Sequence, residues 1–275
     1  MRRIMPRTLI PLIVLLFLTA CQQAPITGRR QLIMVSPGQE VAMGEEAFAE
    51  VKSQATLSGD ARLTTILQRV GARIAAVAET IPGAENMAFQ WEFILIESKQ
   101  VNAFALPGGK VAVYTGILPV CKNEAGLAAV IGHEVGHVIA RHGAERMSQN
   151  LIVEVVGIGL DAALQSKDPQ IRNRVLSAYG LGSQVGVMLP YSRKHEYEAD
   201  RIGMELMARA GYDPEEAPTL WDRMAQAAGA QPLEVLSTHP HSDKRAKAMR
   251  DVLATMNGYY RQASQQYGKG DSLSN

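Results

Sequence analysis

The constraint that reaches furthest into the fold is local: His133 and His137 stand four residues apart in the run Ala129-Val130-Ile131-Gly132-His133-Glu134-Val135-Gly136-His137. On a helix such a pair is rotated by about 40° and separated by roughly 6 Å, so both imidazoles reach one metal ion from the same face. Two ligands do not complete a catalytic site. A catalytic zinc needs a third protein donor and an open position. The chain therefore has to build a helix here and bring another donor to it from elsewhere in the sequence.

Asn123 is placed to cap this helix, with Glu124 favourably set in its first turn. Ala125, Gly126, Ala128, Ala129, Gly132 and Gly136 cost helix propensity but let neighbouring backbone come close, which suits a central, tightly packed helix. Glu134 lies angularly near the histidine face, giving the His-Glu-x-x-His arrangement of zinc hydrolases, in which the glutamate acts on metal-bound water. His142, five residues beyond His137 and about 140° further round, is expected to face away from the ion as a structural or surface histidine.

A second concentration of chemistry lies at His195-Glu196-Tyr197-Glu198-Ala199-Asp200. On a helix Glu196 and Asp200 share a face and Glu198 is turned away by about 200°, so only one glutamate can point at the ion. Glu196 as a zinc ligand, with Asp200 accepting the free ring N–H of a ligating histidine, makes physical sense. A solvated charged face is the plain alternative. The loop Ser237 to Asp243 supplies two further histidines, His239 and His241.

Around these stretches the pattern is mostly helical. Ser36 and Pro37 open a helix to about Gln54, and Asp60 caps a second with an apolar stripe from Leu63 to Val77. Phe89 to Ile96, Val101 to Leu106 and Lys110 to Tyr114 read as strands, the last two joined by Pro107-Gly108-Gly109. Asn102, Ala103 and Phe104 are then either an exposed edge that pairs with an extended substrate or an ordinary hairpin strand. Leu151 to Leu164 reads as a core or lid helix, Tyr179 to Leu189 as a candidate active-site cover, and the tail from 258 as disordered.

At 275 residues and 47% hydrophobic content the chain can bury a sizeable core, and a net charge of +1 gives no electrostatic footprint for nucleic acid. Arg2, Arg3 and Arg7 precede an apolar run from Leu9 to Leu18 that is too short to span a bilayer. Leu18-Thr19-Ala20-Cys21 resembles a bacterial lipobox. Residues 1–20 are thus expected to be a lipoprotein signal peptide, followed over 21–36 by a tether from lipidated Cys21 and then a turn and short extended segment, with a domain over 37–257. That predicts anchoring in a bacterial envelope, in the inner leaflet of the outer membrane and facing the periplasm. With Cys21 lipidated, Cys121 has no disulfide partner and is expected to be a small buried residue.

His133-Glu134-x-x-His137, Glu196-x-x-x-Asp200 and His239-Pro240 with Arg245 resemble the gluzincin metallopeptidases of the HtpX and CAAX-prenyl-protease type, metallopeptidase family forty-eight. Thr27-Gly28-Arg29 and Asn102-Ala103-Phe104 before Pro107-Gly108-Gly109 resemble its bacterial lipoprotein branch and the related mitochondrial quality-control proteases. The resemblance implies an α+β fold, a mostly helical zincin-like domain with a small β-sheet whose edge strand lines the cleft. It implies one Zn²⁺ per chain held by His133, His137 and Glu196, and Glu134 as general base. His239 is implied either to stabilise the oxyanion or to occupy the open zinc position at rest, with His241 as local competitor. Arg245 is implied to orient the loop or contact the oxyanion. The expected substrates are unfolded or misassembled envelope proteins. A second copy of the chain or an envelope assembly machine is the further partner expected, and a zinc-containing scaffold with little proteolysis is the alternative.

Overall fold

The computed structural model describes residues 21–84, 87–184, 189–228, 239 and 243–274. An antiparallel hairpin, β1 (Cys21–Gln23) and β2 (Arg30–Leu32), leads into α1 (Pro37–Gln54) and α2 (Ala61–Ala78). Three strands follow, β3 (Glu92–Ile96), β4 (Ala103–Leu106) and β5 (Lys110–Tyr114), in the order β3-β5-β4. The rest is helical: a short turn α3 (Leu118–Cys121), then α4 (Glu124–Ile139), α5 (His142–Leu164), α6 (Pro169–Ser183), α7 (Leu189–Arg209), α8 (Glu216–Ala228) and α9 (Asp243–Gln262). This is an α+β, zincin-like arrangement, mostly helical with one small mixed sheet.

Local chemistry starts these helices. Ser36 and Gln39 form a capping box at α1, Asp60 accepts the Leu63 N–H at α2, and Asn123 accepts the Gly126 N–H at α4. The β4–β5 hairpin turns through Gly108 and Gly109, and β3 pairs with β5 in parallel, which leaves β4 at a sheet edge. Helix α4 is buried along nearly its whole length between α2, the sheet, α7 and α8. The main core gathers Leu67, Val70 and Ile74 of α2, Leu127, Ile131 and Val135 of α4, and Ile202 and Leu206 of α7.

Three expectations need correction. The tail from 258 is not disordered: α9 continues to Gln262, and the segment after it returns to the start of α4. There the carbonyls of Asp271 and Lys269 accept the Glu124 and Ala125 N–H groups at 3.0 Å each, and the Leu273 side chain is buried. Helix-start N–H groups lack partners within the helix, and a polar tail can supply them. Residues 22–25 are not a free tether: β1 pairs with the extended segment β2 in a docked hairpin, with Ala24, Gln31 and Ile33 buried. The apolar run Leu151 to Leu164 is not core, because α5 packs through its first two turns and exposes Leu151, Val155, Val156 and Ile158. By length and composition alone α5 could cross a membrane. Of the Tyr179–Leu189 cover, residues 185–188 lie outside the described residues.

Candidate metal centre

Four donors converge above α4. His133, His137, Glu196 and His239 each offer an atom, and these atoms all lie within 4.8 Å of one another. His133 Nε2 is 3.2 Å from His137 Nε2 and 3.2 Å from His239 Nδ1. Glu196 reaches in from α7, with Oε2 3.4 Å from His133 Nε2 and Oε1 3.5 Å from His137 Nε2. Glu196 Oε1 is buried without a hydrogen-bond partner. A buried, unpartnered carboxylate oxygen facing imidazole nitrogens is costly alone and suits a cation, so this donor set fits a zinc ion.

The second carboxylate of α7 has a different task. Asp200 Oδ1 lies 3.0 Å from His133 Nδ1, on the side of the ring away from the cluster. Arg245 of α9 grips Asp200 with two bonds of 2.7 Å and places Nη1 3.1 Å from Glu196 Oε2. Its guanidinium stacks 4.3 Å over the Trp221 ring. Burial pulls the His133 pKa down, but the carboxylates of Asp200 and Glu196 outweigh it and raise it to about 9. Glu196 is driven the other way: burial favours its protonated form, and the hydrogen bonds of His133 and His239 overcome this and hold its pKa far below the ordinary value.

Glu134 is buried beside the cluster. Its Oε2 accepts the backbone N–H of Ala105 at 3.2 Å, and its Oε1 lies 3.6 Å from His239 Nε2. Burial raises its pKa, partly opposed by His239 and His133. On β4, Ala103 is buried and its N–H is taken by the Asn102 side chain at 2.9 Å, while Phe104 packs in a smaller core cluster. Asn102, Ala103 and Phe104 thus border the site without entering the donor cluster. His241 lies outside the described residues, as does the side chain of Cys21.

His142 was not legible as a part of this site. It is 1% exposed, and its Nδ1 lies 2.8 Å from His137 Nδ1. It stays outside the donor cluster as a structural histidine, and it reaches the back of His137 because α4 ends at Ile139 and Arg141 takes a left-handed conformation, φ 54°, before α5 begins. Glu198 is turned away from Glu196, and it accepts from His142 Nε2 at 3.0 Å. A histidine soon after the motif, with a carboxylate on the far face of the second helix, was the only hint that sequence offered.

Residues 61–253 match the model of "Peptidase family M48". The "Mitochondrial metalloendopeptidase OMA1" of Schizosaccharomyces pombe is 40% identical over 245 residues, covering 86% of this chain and 68% of that one. The protein of that name from Saccharomyces cerevisiae is 32% identical over 263 residues, covering 90% and 74%. The "Beta-barrel assembly-enhancing protease" of Yersinia pestis is 31% identical over 248 residues, covering 88% of this chain and 50% of its own length. These relatives overturn the localisation read from the amino terminus. Those at 40% and 32% identity are named as mitochondrial, so the outer-membrane, periplasm-facing placement is withdrawn. Arginines without acidic residues are common to secretory signals and organellar presequences, so the charge pattern of residues 1–20 did not decide between compartments. With the donor cluster, the adjacent carboxylate and these matches in hand, the chain belongs to peptidase family M48 and is a metalloendopeptidase.

Proposed function

We propose that this chain cleaves internal peptide bonds in extended stretches of unfolded protein. His133, His137 and Glu196 hold one zinc ion and Glu134 serves as general base. The observation that carries this reading is the 3.2 Å bond from the Ala105 N–H to Glu134, which joins the edge strand β4 to the base. In the β4–β5 register Phe104 pairs with Ala112, so Ala103 and Ala105 turn their backbone groups away from β5. A peptide laid along that edge meets their carbonyls and brings its own backbone beside Glu134. Next to His137 the cleft has an apolar wall of Met87, Phe89, Pro107 and Val138, which suits a side chain that folded proteins keep buried, with the Glu40–Arg141 ion pair also in its lining.

Zinc bound at this cluster supplies a Lewis acid that polarises a carbonyl and acidifies water. The chain's own residues do the rest. Ala105 holds Glu134 Oε2, leaving Oε1 to take a proton from the attacking water and return it to the leaving amine. Burial raises the Glu134 pKa above the ordinary carboxylate value, the direction that makes it a stronger base. Clearance of unfolded protein, in keeping with the protease names of the relatives, is the role that such a site suits.

A zinc protein with little proteolysis is the second reading, favoured by His239 standing where a fourth donor would be. Casein separates the two. The full chain should degrade it in a chelator-sensitive way, and Glu134→Gln should lower the rate by about 10²–10⁴ while keeping the zinc. Cleavage by the Gln variant at the wild-type rate would remove Glu134 from the mechanism. Stoichiometric zinc with no cleavage would establish the second reading.

A further inference from the structure

Behind His137, on the side away from the donor cluster, a buried chain of polar groups runs to the amino-terminal hairpin. His137 Nδ1 meets His142 Nδ1 at 2.8 Å, and His142 Nε2 meets Glu198 Oε2 at 3.0 Å. Glu198 Oε2 also accepts from Arg29 Nε at 2.6 Å, and its Oε1 accepts from the Thr27 hydroxyl. Arg29 turns its two remaining nitrogens on Glu145, at 2.9 and 2.6 Å. Glu145 in turn meets His195 Nε2 at 2.9 Å, and the His195 ring stacks on His142 with centroids 4.1 Å apart. His142, Glu145 and His195 are each 1% exposed.

The hairpin is built to deliver these groups. Between β1 and β2 the chain turns through Gly28 at φ 66°, a left-handed conformation that glycine adopts without strain. The Gly28 N–H bonds to the Ala24 carbonyl at 2.9 Å, and the Ala24 N–H bonds to the Arg29 carbonyl at 2.8 Å. That turn presents Thr27 and Arg29 together to α7, about 170 residues further along the chain.

One proton arrangement satisfies every link. His137 faces the donor cluster with Nε2, which must be bare to bind a metal, so its proton resides on Nδ1 and is donated to His142 Nδ1. His142 then carries its own proton on Nε2 and donates it to Glu198, which Arg29 and Thr27 keep ionised. Ligating histidines commonly give their second N–H to a carboxylate or a carbonyl, which fixes the ring and strengthens the ligand. Here a second imidazole stands between the ligand and the carboxylate.

We propose that His142 is a positioning residue that holds His137 as its Nδ1–H tautomer, and that the Thr27-Gly28-Arg29 turn, acting through Glu198, is an outlying part of the metal centre. This rests on the reading of His137 as a zinc ligand. It gives the amino-terminal hairpin a share in metal affinity by way of Glu198 and His142.

The test uses the full chain with zinc affinity measured by chelator competition and the visible spectrum of the cobalt-substituted protein. His142→Ala and Glu198→Ala should weaken zinc binding about 10–100-fold and alter the cobalt spectrum. His142→Asn, which keeps an acceptor for His137, should recover part of the loss. Arg29→Ala and Thr27→Val, at the partly exposed end of the chain of bonds, should give smaller losses in the same direction and carry the test should His142→Ala fail to fold. Wild-type affinity and spectrum in folded Arg29, Thr27 and Glu198 variants would overturn the proposal. Wild-type affinity in His137→Ala would instead overturn the ligand assignment on which it rests, so the two failures are distinct.

Discussion

Gly132 and Gly203 touch backbone to backbone where α4 crosses α7. A Cβ on Gly132 would lie 2.7 Å from the Gly203 carbonyl oxygen, and one on Gly203 would lie 2.6 Å from the His133 nitrogen. With Gly136, whose Cβ would lie 2.9 Å from the Ala199 carbonyl oxygen, three missing side chains hold the helix that carries the histidines and the helix that carries Glu196 at their separation. Gly132→Ala or Gly203→Ala should therefore destabilise the protein by about 1–3 kcal/mol in chemical unfolding and lower its zinc affinity together. Gly159→Ala in α5, where an added Cβ meets nothing within 4 Å, should be neutral or stabilising by about 0.5–1 kcal/mol. Equal effects at all three positions would deny the crossing its special role.

His239 lies 3.2 Å from His133 Nε2 and 3.1 Å from Glu196 Oε2, inside the donor cluster rather than across a cleft from it. A fourth donor there closes the position that a substrate carbonyl needs. His239→Ala is expected to weaken zinc binding and, at saturating zinc, to raise the initial rate of casein cleavage severalfold. A drop of about 10²–10³ in rate would assign it to the oxyanion instead.

Arg245 has Asp200 in a two-point grip and touches Glu196, with all three side chains buried. Removing one member of a buried charge network leaves the others uncompensated, which costs about 3–5 kcal/mol. Arg245→Ala should show a loss of that order in urea unfolding. Arg245→Lys should fold but bind zinc more weakly, because an ammonium cannot reproduce the two-point contact.

Cys121 is fully buried, and burial pushes its thiol from 9.0 up to about 12. Above pH 9 the unfolded chain gives up this proton while the folded chain keeps it. The contribution of the thiol is thus complete below pH 9 and is lost as pH rises towards 12. In a Cys21→Ser background, unfolding free energy between pH 9 and 11 should fall more steeply with Cys121 present than with Cys121→Ala. The difference should approach 1.4 kcal/mol per pH unit. Iodoacetamide should leave Cys121 untouched at pH 8 until the protein unfolds.

What sequence made legible was local. The caps at Ser36, Asp60 and Asn123 bond to N–H groups three residues on, so type and spacing suffice to place them. The face shared by Glu196 and Asp200 follows from helical geometry in the same way. The partners of Glu198 do not, because Thr27, Arg29 and His142 come from distant segments and only the folded chain brings them together. The tail misled for a related reason. Its polar composition hides two anchors, Leu273 and a Tyr267 ring under the Arg73 guanidinium, and its main bonds are made by backbone, which carries no sequence signal.

That returning tail also orders events during synthesis. The first two N–H groups of α4 wait for the carbonyls of residues 271 and 269, and Leu273 seals the core beside them. A ribosome adding ~5–20 residues per second reaches residue 273 roughly 7–27 s after it has finished α4. For that interval the nascent chain carries its metal-binding helix with those two N–H groups still without the tail carbonyls that accept them in the folded protein.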